Sequence, residues 1–425
     1  MIVNRIKIWY ESQLMDYQMG FRKQKGTSEA IFILRRLQQI AHQTNRSFYL
    51  VFADLTAAFD KMCREFTWKS IYQRLPESFD KTNFQILENL YTKTTTQMDN
   101  MKPIKVEIGV MQGGTESALI YNLFMDYVMR KILYEATKKN IKFPNIPFRI
   151  PSAANKKDTG PKEGNTELPY IGFADDTTAL AESAENLQEL VQIMADVFKE
   201  FHLILNLDKT KTMVIKNQES DQTPNTIVSI NKVPIQNVTK FKILGALLTQ
   251  NPMGSNINEI GSKIMMAQKQ FVTKKNILQN RKIFLTTRIQ ILNTTVRPIL
   301  SYSLDTMALT QQQLQRIESF YIKLLRQMVN GGMKRRENHS YFYTNNQIMN
   351  ITKTISIKDH IFQLQKRFLG HQLRLDNSNL IKQIIFREKV STKTGRPMKT
   401  LLKTCVENSE VDLYHFFRMV LEKRL

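Results

Sequence analysis

Two short segments of the chain place aspartates next to apolar, strand-like runs. Asp54 ends the run SFYLVFAD, and Asp175 and Asp176 lie in FADD, between two strand-like arms. Taken alone, an Asp-Asp turn is more often a solvated surface turn. Adjacent carboxylates in an apolar hairpin repel each other, however, unless a cation binds there. Hard divalent cations prefer carboxylate oxygens, so acids gathered from separate strands could hold the two metals that nucleotidyl transfer needs.

A glycine-rich segment lies between the two acidic segments along the chain. It reads GVMQGGTESALIYNLFMD at residues 109–126 and predicts a loop that enters an amphipathic helix. Glycines let a backbone approach a flat ligand closely. An acid, a glycine-rich loop and an acid pair in this order indicate a site rather than an isolated surface turn.

The apolar pattern predicts the elements that position these residues. Apolar residues three and four apart predict helices, and short β-prone runs predict strands. In the first 250 residues we predict helices at 28–43, 115–135 and 185–201, strands at SFYLVFADL, on both sides of FADD, at LILNL, at TKTMVIK and around FKILGALL, and a loop at 150–167. Beyond them we predict helices at 257–271, 283–296 and 311–329, an end to this block at Gly331-Gly332, a basic linker MKRRENH, and a mostly helical stretch at 355–425.

Composition excludes several classes of protein. The chain has 425 residues, 42% of them hydrophobic, which is enough to bury a sizeable core over two or three domains. No apolar run reaches the roughly 18 residues of a membrane span, so we expect no membrane partner. The two cysteines, Cys63 and Cys405, are too few for a disulfide framework or a cysteine-rich zinc site, which favours a reducing compartment.

Charge is unevenly distributed along the chain. The net charge is +23, with 32 Lys and Arg against 27 Asp and Glu in residues 1–250, and 29 against 11 in residues 251–425. The two parts therefore carry +5 and +18. A strongly basic C-terminal part favours contact with a polyanion such as nucleic acid, although lysines that only solvate helical faces would give a similar count.

Together these motifs resemble a reverse transcriptase of the non-LTR retrotransposon (LINE-like) type, over nearly the whole chain. The matching residues are Gln18, Gly20, Phe21, Arg22, Gly26 and Thr27 of the fingers signature; Asp54 of motif A; Gly109, Gln112, Gly113 and Ser117 of motif B; Phe173, Ala174, Asp175 and Asp176 of motif C; Asn206, Lys209, Thr210 and Lys211 of motif D; Phe241 to Gly245 of motif E, the primer grip; and Gly370, His371, Arg374, Gly395, Arg396 and Pro397 of a C-terminal region. Each motif alone is weak evidence, but their common order is specific.

The resemblance implies an α+β fold of the right-hand polymerase type. We expect fingers and a palm with an antiparallel sheet in residues 1–250, a helical thumb in 251–335 and a basic helical C-terminal region in 336–425. The implied activity is RNA-directed DNA polymerase by two-metal nucleotidyl transfer. Its cofactor would be Mg²⁺ or Mn²⁺, and its partners an RNA template, a DNA primer and deoxynucleoside triphosphates.

The same resemblance implies roles for individual residues. Asp54 and Asp175 would each bind both metals, with Asp176 as a supporting ligand. Phe59 would lie under the sugar and exclude a ribose 2′-hydroxyl, with core packing as the alternative. Arg22 would bind the triphosphate through bidentate hydrogen bonds, with a surface salt bridge as the alternative. Gln112 and Gly113 would contact the incoming nucleotide and the template. Lys209 or Lys211 would protonate the leaving pyrophosphate, with an ordinary solvated lysine as the alternative.

Some features depart from the family pattern. Phe173 stands for the usual Tyr of motif C and Ala118 for the usual Pro of motif B, both packing changes away from the metals. The chain begins close to the fingers signature, and the sequence shows no endonuclease domain or CCHC knuckle. We therefore expect a fragment of a longer protein, a divergent copy or a domesticated gene, with any endonuclease outside this chain.

Two alternatives to this function remain open. The first is RNA synthesis on RNA, which Phe59 argues against. The second is a catalytically inactive or domesticated RNA-binding relative, which the three intact aspartates argue against. In either case we expect a nuclear protein or a cytoplasmic ribonucleoprotein.

Overall fold

The computed structural model describes residues 2–44, 46–96, 102–111, 113–154, 160–215, 228–250, 252–329, 333–336, 339–387 and 399–422. They form two compact units. The first comprises Met1–Ala30, Ile40–Phe148 and Gly164–Thr239, and the second comprises Ile31–Gln39, Arg149–Glu163 and Lys240–Leu425. The predicted division at residues 250 and 335 stays a prediction.

Helices and short strands alternate through the first 240 residues. The helices are α1 Ile2–Gln13, α2 Thr27–Thr44, α3 Ala58–Lys61, α4 Arg64–Arg74, α5 Thr82–Thr92, α6 Ser117–Lys138 and α7 Ala184–Glu200. The strands are β1 Phe48–Ala53, β2 Thr95–Thr96, β3 Ile104–Lys105, β4 Asn145–Ile150, β5 Lys162–Glu167, β6 Tyr170–Phe173, β7 Asp176–Ala181, β8 Lys211–Ile215, β9 Ser229–Ile230 and β10 Val233–Pro234.

A four-stranded antiparallel sheet forms the centre of the first unit. Its strand order is β6-β7-β1-β8, so the middle strands β1 and β7 come from sequence positions more than 100 residues apart. Most residues of β1 are buried, as their β-branched and aromatic character predicts. Helix α7 packs against β1 and β7, and α6 packs against α7. The predicted α+β fold with an antiparallel sheet is confirmed.

The second unit is mainly helical. Its strands are β11 Lys240–Ile243, β12 Ala246–Thr249, β13 Met333–Arg336 and β14 His339–Phe342. Its helices after residue 250 are α8 Pro252–Thr273, α9 Lys275–Leu278, α10 Leu285–Thr295, α11 Arg297–Ser301, α12 Gln311–Met328, α13 Asn345–Thr352, α14 Ile357–Arg374, α15 Leu380–Ile385, α16 Leu401–Asn408 and α17 Leu413–Leu421. Helices α8, α10, α12 and α14 share one buried apolar core.

Three local predictions were wrong. The expected loop at 150–167 contains the strand β5. Its sequence KEGNTE is polar and gave no strand signal, because backbone pairing between strands needs no apolar side chain. The expected linker MKRRENH contributes to the antiparallel pair β13 and β14. LILNL is no strand, because Leu203 closes the end of α7 through its N–H to the Phe198 carbonyl (2.8 Å), which leaves only a bridge from Leu205 to Leu55.

Two predicted features, Gly331-Gly332 and Gly395-Arg396-Pro397, lie outside the described residues. Among the helices of the described residues, none combines the length and apolar character that a bilayer crossing requires.

Candidate active site

A tight hairpin joins β6 to β7 and carries the acid pair. Phe173 pairs with Asp176, so Ala174 and Asp175 form the two-residue turn. Ala174 has a φ of 58°, in the left-handed region that two-residue hairpin turns need. The turn thus begins one residue earlier than the Asp-Asp turn read from the sequence, and Asp176 is the first residue of β7.

Sheet register brings Asp54 to the same end of the sheet. Ala53 pairs with Thr177, so the next residues, Asp54 and Asp176, lie at the same end of this strand pair. On the other side Phe52 pairs with Lys211, at the start of β8. The Lys209 ammonium lies 3.8 Å from an Asp54 carboxylate oxygen. Asp54 therefore stands between a carboxylate and an ammonium group.

The three carboxylates interact electrostatically. Partial burial raises the pKa of the Asp176 carboxyl, and the negative charges of Asp175 and then Asp54 raise it further. This mutual repulsion favours binding of a cation, and carboxylate oxygens suit a hard divalent one. Within the described part of the chain, no three acidic, histidine or cysteine side chains are already closed into a metal site. The three acids are therefore close enough to interact, but they do not form a closed metal site.

An aromatic pair lies beside these carboxylates. The rings of Phe59 and Tyr121 are stacked, with centroids 4.0 Å apart and planes 14° from parallel. Tyr121 is fully buried, and burial, followed by the charges of Asp175 and Asp176, holds its pKa well above the ordinary value. Phe59 is half-buried. Both the predicted role under the sugar and the alternative of core packing are compatible with this position.

The glycine-rich loop is fixed to the segment that follows Asp54. The Val110 N–H donates to the Phe59 carbonyl at 3.0 Å, and the buried Arg64 donates to the Gly109 carbonyl at 2.7 Å. Gly109 has a φ of +76°, and a Cβ there would lie 2.6 Å from the Asp60 carbonyl oxygen, so only glycine fits. Arg64, which sequence reasoning did not single out, therefore helps to place Phe59.

Of the remaining residues that match motif B, the structure describes Gly113 and Ser117. Gly113 has a φ of +91°, and no atom lies within 4 Å of where its Cβ would be, so backbone there is open to a ligand. Ser117 begins α6, and its hydroxyl donates to the Met111 carbonyl at 2.6 Å. Gln112 lies outside the described residues.

Geometry separates the two candidate lysines. The Lys209 ammonium is exposed and faces Asp54, whereas the Lys211 ammonium donates to the Asp208 carbonyl at 2.5 Å. The Asn206 N–H donates to the Asp54 carbonyl at 2.8 Å and the Lys209 N–H to the Asn206 side-chain oxygen at 3.2 Å. Of these two lysines, Lys209 is therefore the one whose ammonium lies near an aspartate of the site.

Arg22 is engaged by the protein itself. Its guanidinium is nearly buried, pairs with the Glu11 carboxylate at 3.1 Å and donates to the carbonyls of Met15 (2.7 Å) and Glu11 (3.1 Å). The alternative left open was a surface salt bridge, and the structure shows an ion pair whose guanidinium is nearly buried instead. The predicted triphosphate contact stays a prediction.

Gln18, from the same N-terminal signature, contacts the β6–β7 hairpin directly. Its buried amide binds both backbone polar groups of Ala174, the residue before Asp175. The sequence marked Gln18 only as part of a motif. Its partner lies 156 residues away, so no local pattern could reveal the contact.

A buried charge cluster in the second unit holds the β11–β12 hairpin, which matches motif E. Glu259 pairs with Lys263 (3.2 Å) and Arg35 (3.7 Å), and all three side chains are buried. Lys263 donates to the Gly245 carbonyl at 2.7 Å, and Glu259 accepts from the Leu247 N–H at 2.6 Å. Burial lowers the pKa of the Lys263 ammonium. Only the four-residue spacing of Glu259 and Lys263 hinted at this pair.

Comparison with known proteins gives one family match. Residues 1–248 match the family model described as reverse transcriptase (RNA-dependent DNA polymerase). The chain is also 25% identical over 284 residues to the Retrovirus-related Pol polyprotein from type-2 retrotransposable element R2DM of Drosophila melanogaster. That alignment covers 63% of the chain and 24% of the relative, so the chain spans about a quarter of that protein's length.

Solved structures that align with the chain include telomerases of two yeasts. A telomerase of Candida tropicalis in complex with a telomeric RNA fragment has a TM-score of 0.40 and 11% identity, covering 90% of this chain and 56% of that one. A Candida albicans telomerase, also with a telomeric RNA fragment, has a TM-score of 0.36 and 9% identity, covering 90% and 55%. TM-scores of this size carry no argument about fold or function.

Proposed function

The chain belongs to the reverse transcriptase family, the RNA-dependent DNA polymerases, and we propose that it copies an RNA template into DNA by two-metal nucleotidyl transfer. The resemblance to the non-LTR retrotransposon type is confirmed. The observation that carries the proposal is the convergence of Asp54, Asp175 and Asp176 at one end of an antiparallel sheet.

Enzymes of this family generally use divalent metal ions, and we propose Mg²⁺, or Mn²⁺ in its place, for this chain. Asp54 and Asp175 would hold the metals, with Asp176 as the supporting ligand. Bound there, the metals would activate the primer 3′-hydroxyl and neutralise charge on the triphosphate. The repulsion that raises the pKa of Asp176 supports this assignment, because a cation would relieve it.

Other residues of the site have proposed roles in substrate choice and proton transfer. Phe59, whose ring is stacked on that of Tyr121, lies under the sugar and excludes a 2′-hydroxyl by the volume of its side chain. The Lys209 ammonium, exposed and free to move from Asp54, donates a proton to the departing pyrophosphate. Gln112 and Gly113 contact the incoming nucleotide and the template, where the open backbone at Gly113 leaves room.

The proposed partners are an RNA template, a DNA primer and deoxynucleoside triphosphates. The net charge of +18 in residues 251–425 supports contact with nucleic-acid phosphates, because such contacts are mainly electrostatic. The endonuclease that a mobile element requires would come from outside this chain. A nuclear or ribonucleoprotein location follows from these partners.

The second candidate function is an RNA-binding relative without catalysis. A primer-extension assay on an RNA template with Mg²⁺ or Mn²⁺ separates the two. The proposal predicts extension by the wild type and a loss of several orders of magnitude in Asp175→Asn, which removes a charge but little volume. Template binding should be retained in the variant. A wild-type chain that binds RNA but never extends a primer would support the binding protein instead.

A further inference from the structure

The N-terminal signature contributes a positioning residue to the metal-binding turn. We propose that Gln18 holds Ala174 through both of its backbone polar groups and thereby sets the direction of the Asp175 carboxylate. This inference rests on the proposed function in one respect, since it takes Asp175 to be a metal ligand. Gln18 itself touches neither substrate nor the reacting atoms.

The Gln18 amide is almost fully enclosed, with 4% of the residue exposed. Its oxygen accepts from the Ala174 N–H at 3.2 Å and from the Gly20 N–H at 3.1 Å. Its nitrogen donates to the Ala174 carbonyl at 3.4 Å. One side chain thus satisfies both the donor and the acceptor of the residue that precedes Asp175.

The backbone around Gln18 is fixed to the same hairpin. The Met19 N–H donates to the Gly172 carbonyl at 2.7 Å, and the Gly172 N–H donates to the Tyr17 carbonyl at 2.9 Å. These bonds make a parallel bridge between Gln18 and Gly172, alongside β6. The Gln18 side chain therefore extends from backbone that is held by hydrogen bonds to Gly172 of β6.

Close packing holds this segment against the turn. A Cβ on Gly20 would lie 2.5 Å from the Ala174 nitrogen, so only glycine permits this approach. We call the contact of Gln18 and Gly20 with Ala174 the clamp. It depends on Gln18 for hydrogen bonds and on Gly20 for close approach.

The turn needs such support. Ala174 has a φ of 58°, which is unfavourable for a residue with a Cβ and persists only where the surroundings enforce it. Relaxation of Ala174 to a negative φ would change the direction of the next side chain, Asp175. The carboxylates of Asp175, Asp54 and Asp176 also repel one another before a cation binds, so the turn carries charge repulsion as well as backbone strain.

Two substitutions at Gln18 test the clamp. Gln18→Met keeps the volume but removes every amide bond to Ala174. Gln18→Glu keeps an acceptor for the Ala174 N–H but loses the donor and adds a charge close to the aspartates. The matched control is Gln365→Met, because Gln365 is as deeply buried (3% exposed) and its amide donates to the carbonyls of Leu304 (3.2 Å) and Met307 (2.8 Å) in the second unit.

Kinetic and exchange measurements are made on the full chain. We expect both Gln18 variants to lower kcat about 10- to 100-fold, since a misplacement of about 1 Å costs that much. The Mg²⁺ concentration for half-maximal extension should rise, while KM for primer–template stays unchanged. Hydrogen exchange at the Ala174 amide should be faster in Gln18→Met than in the wild type. It should be slower in Gln18→Glu than in Gln18→Met, because the glutamate keeps the acceptor.

The outcomes separate the clamp from the activity. Wild-type kcat and Mg²⁺ dependence in Gln18→Met, or unchanged protection of the Ala174 amide, would overturn the inference. An equal kinetic loss in Gln365→Met would also overturn it, because general destabilisation would then explain the effect. If the wild type extends no primer, the proposed function fails, and the exchange result alone still decides whether Gln18 holds the turn.

Discussion

Asp176→Asn should stabilise the protein in the absence of divalent metal. Asp54 and Asp176 each lie one residue beyond the Ala53–Thr177 pair and interact electrostatically, and side chains that face each other across a sheet have Cβ atoms about 4.5–5.5 Å apart. Two unit charges about 5 Å apart repel by about 3 kcal/mol at an effective dielectric constant near 20, and by under about 1 kcal/mol in water. Asp176 keeps contact with solvent, so we expect a gain of about 1 kcal/mol at neutral pH.

The pH dependence of this gain follows from the raised pKa of Asp176. The folded chain holds the Asp176 proton more tightly than the unfolded chain does. The stability from this group is therefore complete below the ordinary aspartate pKa of about 4 and is lost as pH rises through the raised value. Wild type and Asp176→Asn should thus be equally stable near pH 4, and the variant should be more stable at pH 7 and above.

Thermal unfolding with EDTA, from pH 4 to pH 8, measures this difference. A gain of about 1 kcal/mol corresponds to a rise of about 2–4 °C in the melting temperature of a domain of this size. Adding Mg²⁺ with a nucleotide should raise the melting temperature of the wild type more than that of the variant. The control is Asp80→Asn, because the hydrogen bond from Thr82 lowers the pKa of Asp80, which predicts no gain at neutral pH.

A result of the opposite sign would refute this reasoning. If Asp176→Asn is less stable than the wild type at pH 7 without metal, the carboxylates do not repel in the folded chain. Equal gains in Asp176→Asn and Asp80→Asn would show a general effect of removing acidic charge. Either result would remove the electrostatic argument for a cation at this site.

Three further predictions concern the neighbours of the acids and the basic part of the chain. Phe59→Ala should admit ribonucleotides in primer extension, and equal use of ribonucleotides by wild type and variant would make Phe59 a packing residue. Arg64→Met should lower the preference for deoxynucleotides through the loop bonded to Phe59, whereas Arg288→Met, also a buried arginine bonded to backbone carbonyls, should not, as competing nucleotides would measure. Binding to primer–template should weaken steeply with salt, by about 0.7–0.9 logarithmic units per phosphate contact for each tenfold rise, and a flat titration would contradict the role of residues 251–425.

Motif order and residue type predicted much of this architecture. The apolar run before Asp54 and the arms around FADD are strands of one antiparallel sheet, as expected, because buried strands need apolar side chains. The predicted helices at 28–43, 115–135 and 185–201 were confirmed within a few residues of their ends. The same logic failed for β5, whose polar side chains carry no burial signal.

The parts of the site that the sequence did not reveal depend on backbone partners. A sequence shows which residue types are present but not which carbonyl a buried arginine or glutamine will meet. Arg64 donates a hydrogen bond to the Gly109 carbonyl, and Arg22 pairs with Glu11. The sequence shows only that both residues are cations. The sequence did not reveal the register of the sheet either. A shift of one residue in the pairing of β1 with β7 would turn the side chain of Asp54 to the other face of the sheet, away from Asp176.

The N-terminal signature illustrates why a motif can be recognised before its purpose is known. Gln18 and Gly20 lie more than 150 residues from Ala174, and the sequence identified them only as part of the fingers signature. In the folded chain the glycine permits contact with the hairpin and the glutamine satisfies its backbone. Asp175 therefore lies on a turn that the N-terminal signature fixes from outside the four-stranded sheet. Under the proposed function, repulsion among the carboxylates acts on this turn before a cation binds, and a turn fixed by buried hydrogen bonds resists that repulsion.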